Sequence, residues 1–237
     1  MIVVLFDLHL HSRFSVDALS KPETIVKICK ENGWGFSLTD HNNMGAYLIS
    51  GSRNVKKLAK KEGVFLVPGE EIKVLDSGER HSNKKVVGEV IAYFLSEPVA
   101  PSSFEEILDE VQSQGALLSC PHPFDWPRRN FKDFPKQLDN FDCMETYNAR
   151  AYYKGLNVHS QKFFEKRAKR KLSCLGVSDA HTPEEIGNGL TEIDAENENE
   201  FKREIKKCRT RVIQNHHAKV WQHTQTFFAK QRWMKER

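Results

Sequence analysis

Seven short apolar runs recur along the chain, at 2–8 (IVVLFDL), 35–39 (GFSLT), 64–69 (VFLVPG), 86–95 (VVGEVIAYFL), 116–120 (ALLSC), 141–146 (FDCMET) and 172–178 (LSCLGVS). Amphipathic stretches lie between them. Pro22 ahead of "ETIVKICKEN" opens a helix that Gly33 stops, and Gly63 closes "SRNVKKLAKKEG" in the same way. "SFEEILDEVQSQG" starts with a Ser/Glu capping pattern, Ser102 or Ser103 with Glu105 or Glu106, and ends at Gly115. "NVHSQKFFEKRAKR" is a fourth helical stretch. Strand–helix alternation of this kind predicts an α/β fold with a largely parallel sheet, and seven strands favour a barrel over an open sheet.

The 237 residues suffice for one domain of that size, and 39% hydrophobic residues supply its core. No apolar run approaches the roughly 18 residues of a membrane span. The opening MIVVL lacks the basic start of a signal peptide and reads as the first core strand. Five scattered cysteines without CxxC spacing argue for a reducing, cytoplasmic setting. Residues 201–237 carry a balance of +9 and the rest −5. With the polar stretch that begins at Asp194, this asymmetry places a boundary near 196, between a body at 1–195 and a basic, aromatic-containing helical extension at 196–237.

The strands end in unusual residues. The first ends in Asp7-Leu8-His9-Leu10-His11, the second in Thr39-Asp40-His41 and the third in Gly69-Glu70-Glu71. The fifth ends in Cys120-Pro121-His122-Pro123 and the seventh in Ser178-Asp179-Ala180-His181. On a strand, residues i and i+2 point the same way, so His9 and His11 can reach one ion, and Asp179 with His181 repeats the step. Carboxylate with imidazole suits zinc, manganese or iron, and the absence of nearby cysteine argues against a purely structural zinc site. Each motif alone is that of ordinary polar residues; their coincidence at five strand ends points to a metal centre.

DLHLHS, LTDHN, PGEEI, CPHP and GVSDAH, in this order, resemble the motif series of the PHP (polymerase and histidinol phosphatase) domain, from about residue 5 to about residue 190. The resemblance implies a distorted seven-stranded (β/α)7 TIM-like barrel, two or three divalent metal ions, and phosphate-ester hydrolysis. It assigns His9, His11, Glu71 and Asp179 to a first ion, with Glu71 bridging to a second that His122 also holds. Asp17, His41 and His181 would hold a third. Where the family often has histidine in the fourth strand, this chain has Glu89, which shifts preference from zinc toward manganese or magnesium; His81 in the preceding loop is the alternative. Asp179 and His181 are also the expected catalytic residues, and Asp7 an orienting carboxylate.

Adjacent cations would lower the pKa of a bridging water, so that hydroxide attacks phosphorus in line, with no side-chain nucleophile. Asn148, Arg150 and Arg128 are expected to bind the substrate, with Arg129 beside them. Trp126 is expected to cover the barrel mouth, and His159, His216, His217 and His223 to be surface or helix residues. The tail places Val220, Trp221, Thr224, Phe227, Phe228 and Trp233 mostly along one stripe, expected to dock on the body. The expected substrate is a phosphorylated small metabolite or nucleotide. The alternatives are a nuclease on RNA or DNA ends that uses the basic extension as a strand guide, and a catalytically idle regulatory module.

Overall fold

A computed structural model describes residues 3–76 and 85–235 of the chain. The strands are β1 (Val3–Leu10), β2 (Trp34–Leu38), β3 (Gly69–Leu75), β4 (Val86–Tyr93), β5 (Leu117–Cys120), β6 (Cys143–Asn148), β7 (Ser173–Val177), β8 (Gly189–Asp194) and β9 (Arg211–Gln214). The helices are α1 (Pro22–Asn32), α2 (Gly45–Leu48), α3 (Val55–Glu62), α4 (Phe104–Ser113), α5 (Lys154–Phe163), α6 (Glu198–Lys206) and α7 (Val220–Lys235). The expected helix signals operate as read. Pro22 is the first residue of α1, and Gly33 closes it with a φ of 69°. Ser103 and Glu106 form a reciprocal capping box at the start of α4.

The strands form two sheets, ordered β2-β1-β8-β9 and β3-β4-β5-β6-β7. The fold is thus mixed α/β, and among the described strands the expected closed seven-stranded barrel does not form. Among the described residues the sheets share no ladder: single bridges join Phe36 to Leu66 and His41 to Glu71 on one side and Leu10 to Ala180 on the other, and the Thr191 hydroxyl of β8 bonds Gly176 of β7. Three ladders are parallel, β1–β2, β5–β6 and β6–β7, and four are antiparallel, β1–β8, β3–β4, β4–β5 and β8–β9. The sheet is therefore less parallel than expected, because the consecutive strands β3 and β4 pair antiparallel. The third strand also starts later than expected. Residues 64–68 make only a single bridge, and Gly69 to Leu75 forms the ladder with β4. A Cβ at Gly69 would lie 2.6 Å from Ser37 Oγ and 3.0 Å from the Ala92 carbonyl oxygen, so only glycine lets β3 start there.

Two hydrophobic cores result. In β4, Val90 and Ala92 belong to a core shared with α1, α3 and α4, whereas Ile91 and Tyr93 face an inner core with Phe6, Leu8, Leu175 and Val177. Phe201 and Ile205 of α6 complete that inner core, with the Phe201 ring edge-on to Phe6 at 5.1 Å and to Phe94 at 5.2 Å. Both α6 and β9 lie beyond the expected boundary at 195/196; α6 fills the inner core, and β9 extends the first sheet along β8. Among the described residues no helix is long and apolar enough to cross a membrane.

Candidate metal centre

β1 delivers His9 and His11 fully buried, and hydrogen bonds fix the outer nitrogen of each ring. His9 Nδ1 lies 2.6 Å from Glu145 Oε1 on β6. Ser15 gives its one hydroxyl proton to Asp40 Oδ1 at 2.8 Å, so its oxygen accepts from His11 Nδ1 at 3.2 Å and from the His41 backbone N–H at 3.0 Å. The two Nε2 atoms then face one point, 3.0 Å apart. Glu71 Oε2 lies 3.6 Å from His9 Nε2 and 3.4 Å from His11 Nε2, and Asp179 Oδ1 lies 3.6 and 3.5 Å from the same atoms. Four ligands at about 2.1 Å from one ion in a tetrahedron stand roughly 3.4 Å from each other, so this spacing fits a cation between them.

Two further groups adjoin the first. Glu71, Glu89 and His122 place ligand atoms within 4.8 Å of one another, as do His11, His41 and His181. His122 Nε2 is 3.3 Å from Glu71 Oε1. Asp17 Oδ1 lies 3.6 Å from His41 Nε2 and 3.7 Å from His181 Nε2, and it is buried without a hydrogen-bond partner. His181 Nδ1 faces the Asp179 carbonyl at 2.9 Å, which leaves Nε2 free. A buried carboxylate oxygen with no donor and imidazoles held by their far nitrogens suit cations rather than a neutral network. His122 and Asp179 also sit in the left-handed region, with φ of 30° and 54°. Such backbone costs on the order of 1 kcal/mol or more and concentrates at functional sites. All nine expected ligand positions, His9, His11, Asp17, His41, Glu71, Glu89, His122, Asp179 and His181, thus meet in one cluster. His81 lies outside the described residues.

Burial and crowded charges set the electrostatics of the cluster. Burial alone would raise the Glu71 carboxyl, but the facing His9 and His41 hold it well below the usual range. Burial would likewise raise Asp179, yet Arg128 and His9 hold it well below. Burial and then the neighbouring Glu71 carboxylate push Glu89 up. Burial and Arg150 push His181 well down. Negative charges crowded in this way call for positive charge between them.

The neighbouring residues divide differently from expectation. Asp7 does not orient an imidazole. It accepts from the Ser178 N–H at 3.1 Å and the Gly187 N–H at 2.9 Å, and burial pushes its carboxyl up to about 7. Glu145 plays the orienting part: beside His9 it accepts from the His122 N–H at 2.7 Å and from Asn148 Nδ2 at 2.8 Å. Glu70 faces away and accepts from the Val99 N–H at 2.8 Å. Asn148 also donates to Asp179 Oδ2 at 3.0 Å. Arg150 pairs with Glu185 at 2.5 Å and donates to Thr226 of α7 at 3.1 Å, while Glu185 Oε2 accepts from the His181 and Thr182 N–H groups, both at 3.0 Å. Arg128 binds Asp179 and Asp125, and its Nη2 is buried without a partner.

The cluster forms the floor of a cavity of about 370 Å³, walled by Arg128, Arg129, Tyr152, His223, Phe227 and Lys230 among others. His223, expected as a surface residue, faces this cavity, whereas Trp126, expected to cover it, is 70% exposed and stands clear. α7 docks in an unexpected sense. Its polar Gln222 and Thr226 are buried, while Trp221, Phe227 and Phe228 are 45%, 58% and 65% exposed. Thr224 is exposed as well, and the side chains of Val220 and Trp233 lie outside the described residues.

Comparison with known proteins agrees with this geometry. The PHP domain matches residues 7–217, and the chain belongs to that family. It is 30% identical over 190 residues to an uncharacterized protein of Methanocaldococcus jannaschii, across 77% of this chain and 67% of that one. Among solved structures it resembles a two-domain protein containing a PHP-like metal-dependent phosphoesterase from Bacteroides vulgatus, with a TM-score of 0.65, 21% identity, and coverage of 96% of this chain and 70% of that one. It also resembles the lesion-specific endonuclease PfuEndoQ of Pyrococcus furiosus, with a TM-score of 0.57, 16% identity, and coverage of 89% and 58%.

Proposed function

We propose that the chain is a metal-dependent hydrolase of phosphate esters, acting on a phosphomonoester or phosphodiester of a small metabolite or nucleotide. The observation that carries this reading is the set of three adjoining donor groups that share Glu71 and His11, with Asp17, His41, Glu71, Glu89, His122, Asp179 and His181 lining one cavity. We assign a first ion to His9, His11, Glu71 and Asp179, a second to Glu71, Glu89 and His122, and a third to Asp17, His41 and His181. Divalent ions there supply Lewis acidity, which makes water a better nucleophile and offsets phosphoryl charge. The chain's own residues hold the rest in place. Glu145, Ser15 and the Asp179 carbonyl keep three imidazoles turned inward, and Asn148 and Arg128 fix Asp179. The unpartnered Nη2 of Arg128 is the donor best placed for a phosphoryl oxygen, with Arg129 and Lys230 on the cavity wall beside it. Asn148, whose side-chain amide goes to Glu145 and Asp179, serves to position, and Arg150, tied to Glu185 and Thr226, also faces the cavity.

A second reading, cleavage at nucleic-acid ends, is favoured by the rings of Tyr152 and Phe227 on the cavity wall, which offer flat surfaces to a base. Hydrolysis of an aryl phosphate with manganese or zinc tests the main reading. Activity should require the ion, and His9→Ala or Asp179→Ala should each lower it by at least roughly 100-fold. Full activity in metal-free protein would overturn it.

A further inference from the structure

Outside the cavity, one face of α5 and of the π-helical turn that continues it at Phe164–Ala168 carries a second charged feature. Val158, His159, Lys162, Phe163, Lys166 and Arg167 follow at helical three- and four-residue steps and line a groove of about 530 Å³. Lys169, Arg170 and Lys171 line an adjoining groove with Lys166 and Arg167, so residues 162–171 hold six exposed cations and a single acid, Glu165. Lys169 pairs with Glu165 and Lys171 with Asp139. Among the described residues Lys162, Lys166 and Arg170 have no ion-pair partner. Lys162 lies in α5, Lys166 in the π-helical turn and Arg170 just beyond it, so these unpaired cations follow one another along the chain, where repulsion between like charges favours a bound anion. Rings alternate with the cations. His159 stacks on Phe124 at 4.4 Å, and the Arg167 guanidinium lies 5.9 Å above Phe163. The groove starts where α5 starts, directly after Tyr152 and Tyr153, and Tyr152 walls the metal cavity. The ten residues of α5 span about 15 Å.

We propose that this face is a docking track for single-stranded nucleic acid, whose end enters the metal cavity. The fate of that end rests on the phosphoesterase reading; the docking does not. Cations spaced along a groove neutralise successive phosphates, and interleaved rings accept bases without regard to sequence. The His159 and Phe163 rings on the groove, set between the cations, suit bases better than lipid headgroups.

The test is fluorescence anisotropy of the full chain with a labelled single strand of about 12 nucleotides, in EDTA and across a salt series. The variant K162A/K166A/R167A/R170A is compared with K56A/K57A/K60A/K61A on α3, which removes the same charge elsewhere. The α5 variant should bind roughly 10-fold more weakly or worse, and its log K against log salt slope should fall by about 2 to 3. The α3 variant should stay within about 2-fold of the parent. Equal losses in the two variants, or no binding by the parent, would overturn the track. So would a loss of binding to acidic phospholipid vesicles in the α5 variant with oligonucleotide binding intact. If the quadruple variant melts lower than the parent, Lys166→Glu alone carries the same comparison. Aryl-phosphate hydrolysis, measured separately with manganese, reports on the phosphoesterase reading; its absence would end that reading and leave the EDTA binding result to stand alone.

Discussion

Glu145 ties together the His9 end of the donor cluster. One carboxylate fixes the His9 ring, the His122 backbone and Asn148. Glu145→Gln keeps the volume but replaces a charged acceptor with a neutral one, so His9 is held less firmly. Metal affinity should fall by roughly 10–100-fold, as read by titration of the metal-free protein; an unchanged affinity would mean that packing alone orients His9. His9 and His11 were legible in the sequence because a two-residue step on a strand has one geometric meaning. Glu71 was legible through the PGEEI motif of the resemblance, although the strand was expected to end there and in fact starts at Gly69. Glu145 was not, since a lone acid inside a buried strand has no local partner: His9 and His122 lie 136 and 23 residues away. Asp7 shows the converse. Its two-residue step from His9 suggested a link to the imidazoles, but backbone amides at Ser178 and Gly187 take both its oxygens.

Among the elements, α7 departs furthest from its sequence pattern. An apolar stripe suggested docking through rings, yet Thr226 on Arg150 makes the contact, Gln222 is buried, and Trp221, Phe227 and Phe228 stay largely exposed, with Phe227 on the cavity wall. His223 adds a pH dependence to that contact. Burial, and after it Arg150 and Arg128, push its imidazole down to about 4. The docked helix therefore favours neutral His223, while the undocked helix protonates near the ordinary value of about 6.5. Docking is at full strength above that pH and weakens as pH falls from about 6.5 toward 4. Hydrogen exchange over residues 220–231, corrected for intrinsic rates, should speed up across that window and should lose the dependence in His223→Gln. An identical profile in the variant would remove His223 from the account. The strands were uneven in legibility. β8 and β9 went unread because short runs beside a charged stretch carry little period, and their pairing with β1 and with each other is decided by distant residues. The third strand was misplaced because apolar content marked 64–68, whereas the ladder follows the partner strand β4.

At the scale of the whole molecule, the two sheets enclose an inner core sealed by α6, and the site gathers acids and imidazoles from both sheets. Ions bound only by the folded chain stabilise it by about 2.7 kcal/mol at a hundredfold excess over Kd. For a domain of this size that corresponds to a rise in Tm of roughly 5–10 °C. Calorimetry with and without manganese or zinc should show that rise, and His9→Ala with Asp179→Ala should abolish it; equal Tm values in both conditions would argue that no ion binds the fold. The mixed α/β class and the site at one end of the strands were readable from strand–helix alternation. The split into two sheets was not, because closure depends on single bridges that leave no mark in composition. The polar docking of α7 has a different kind of consequence. A wall attached through a hydroxyl on a guanidinium rather than through rings leaves little raw apolar surface behind when its sequence changes. The scaffold can therefore exchange this wall, and with it the shape offered to a substrate, without disturbing the core that sets the ligands.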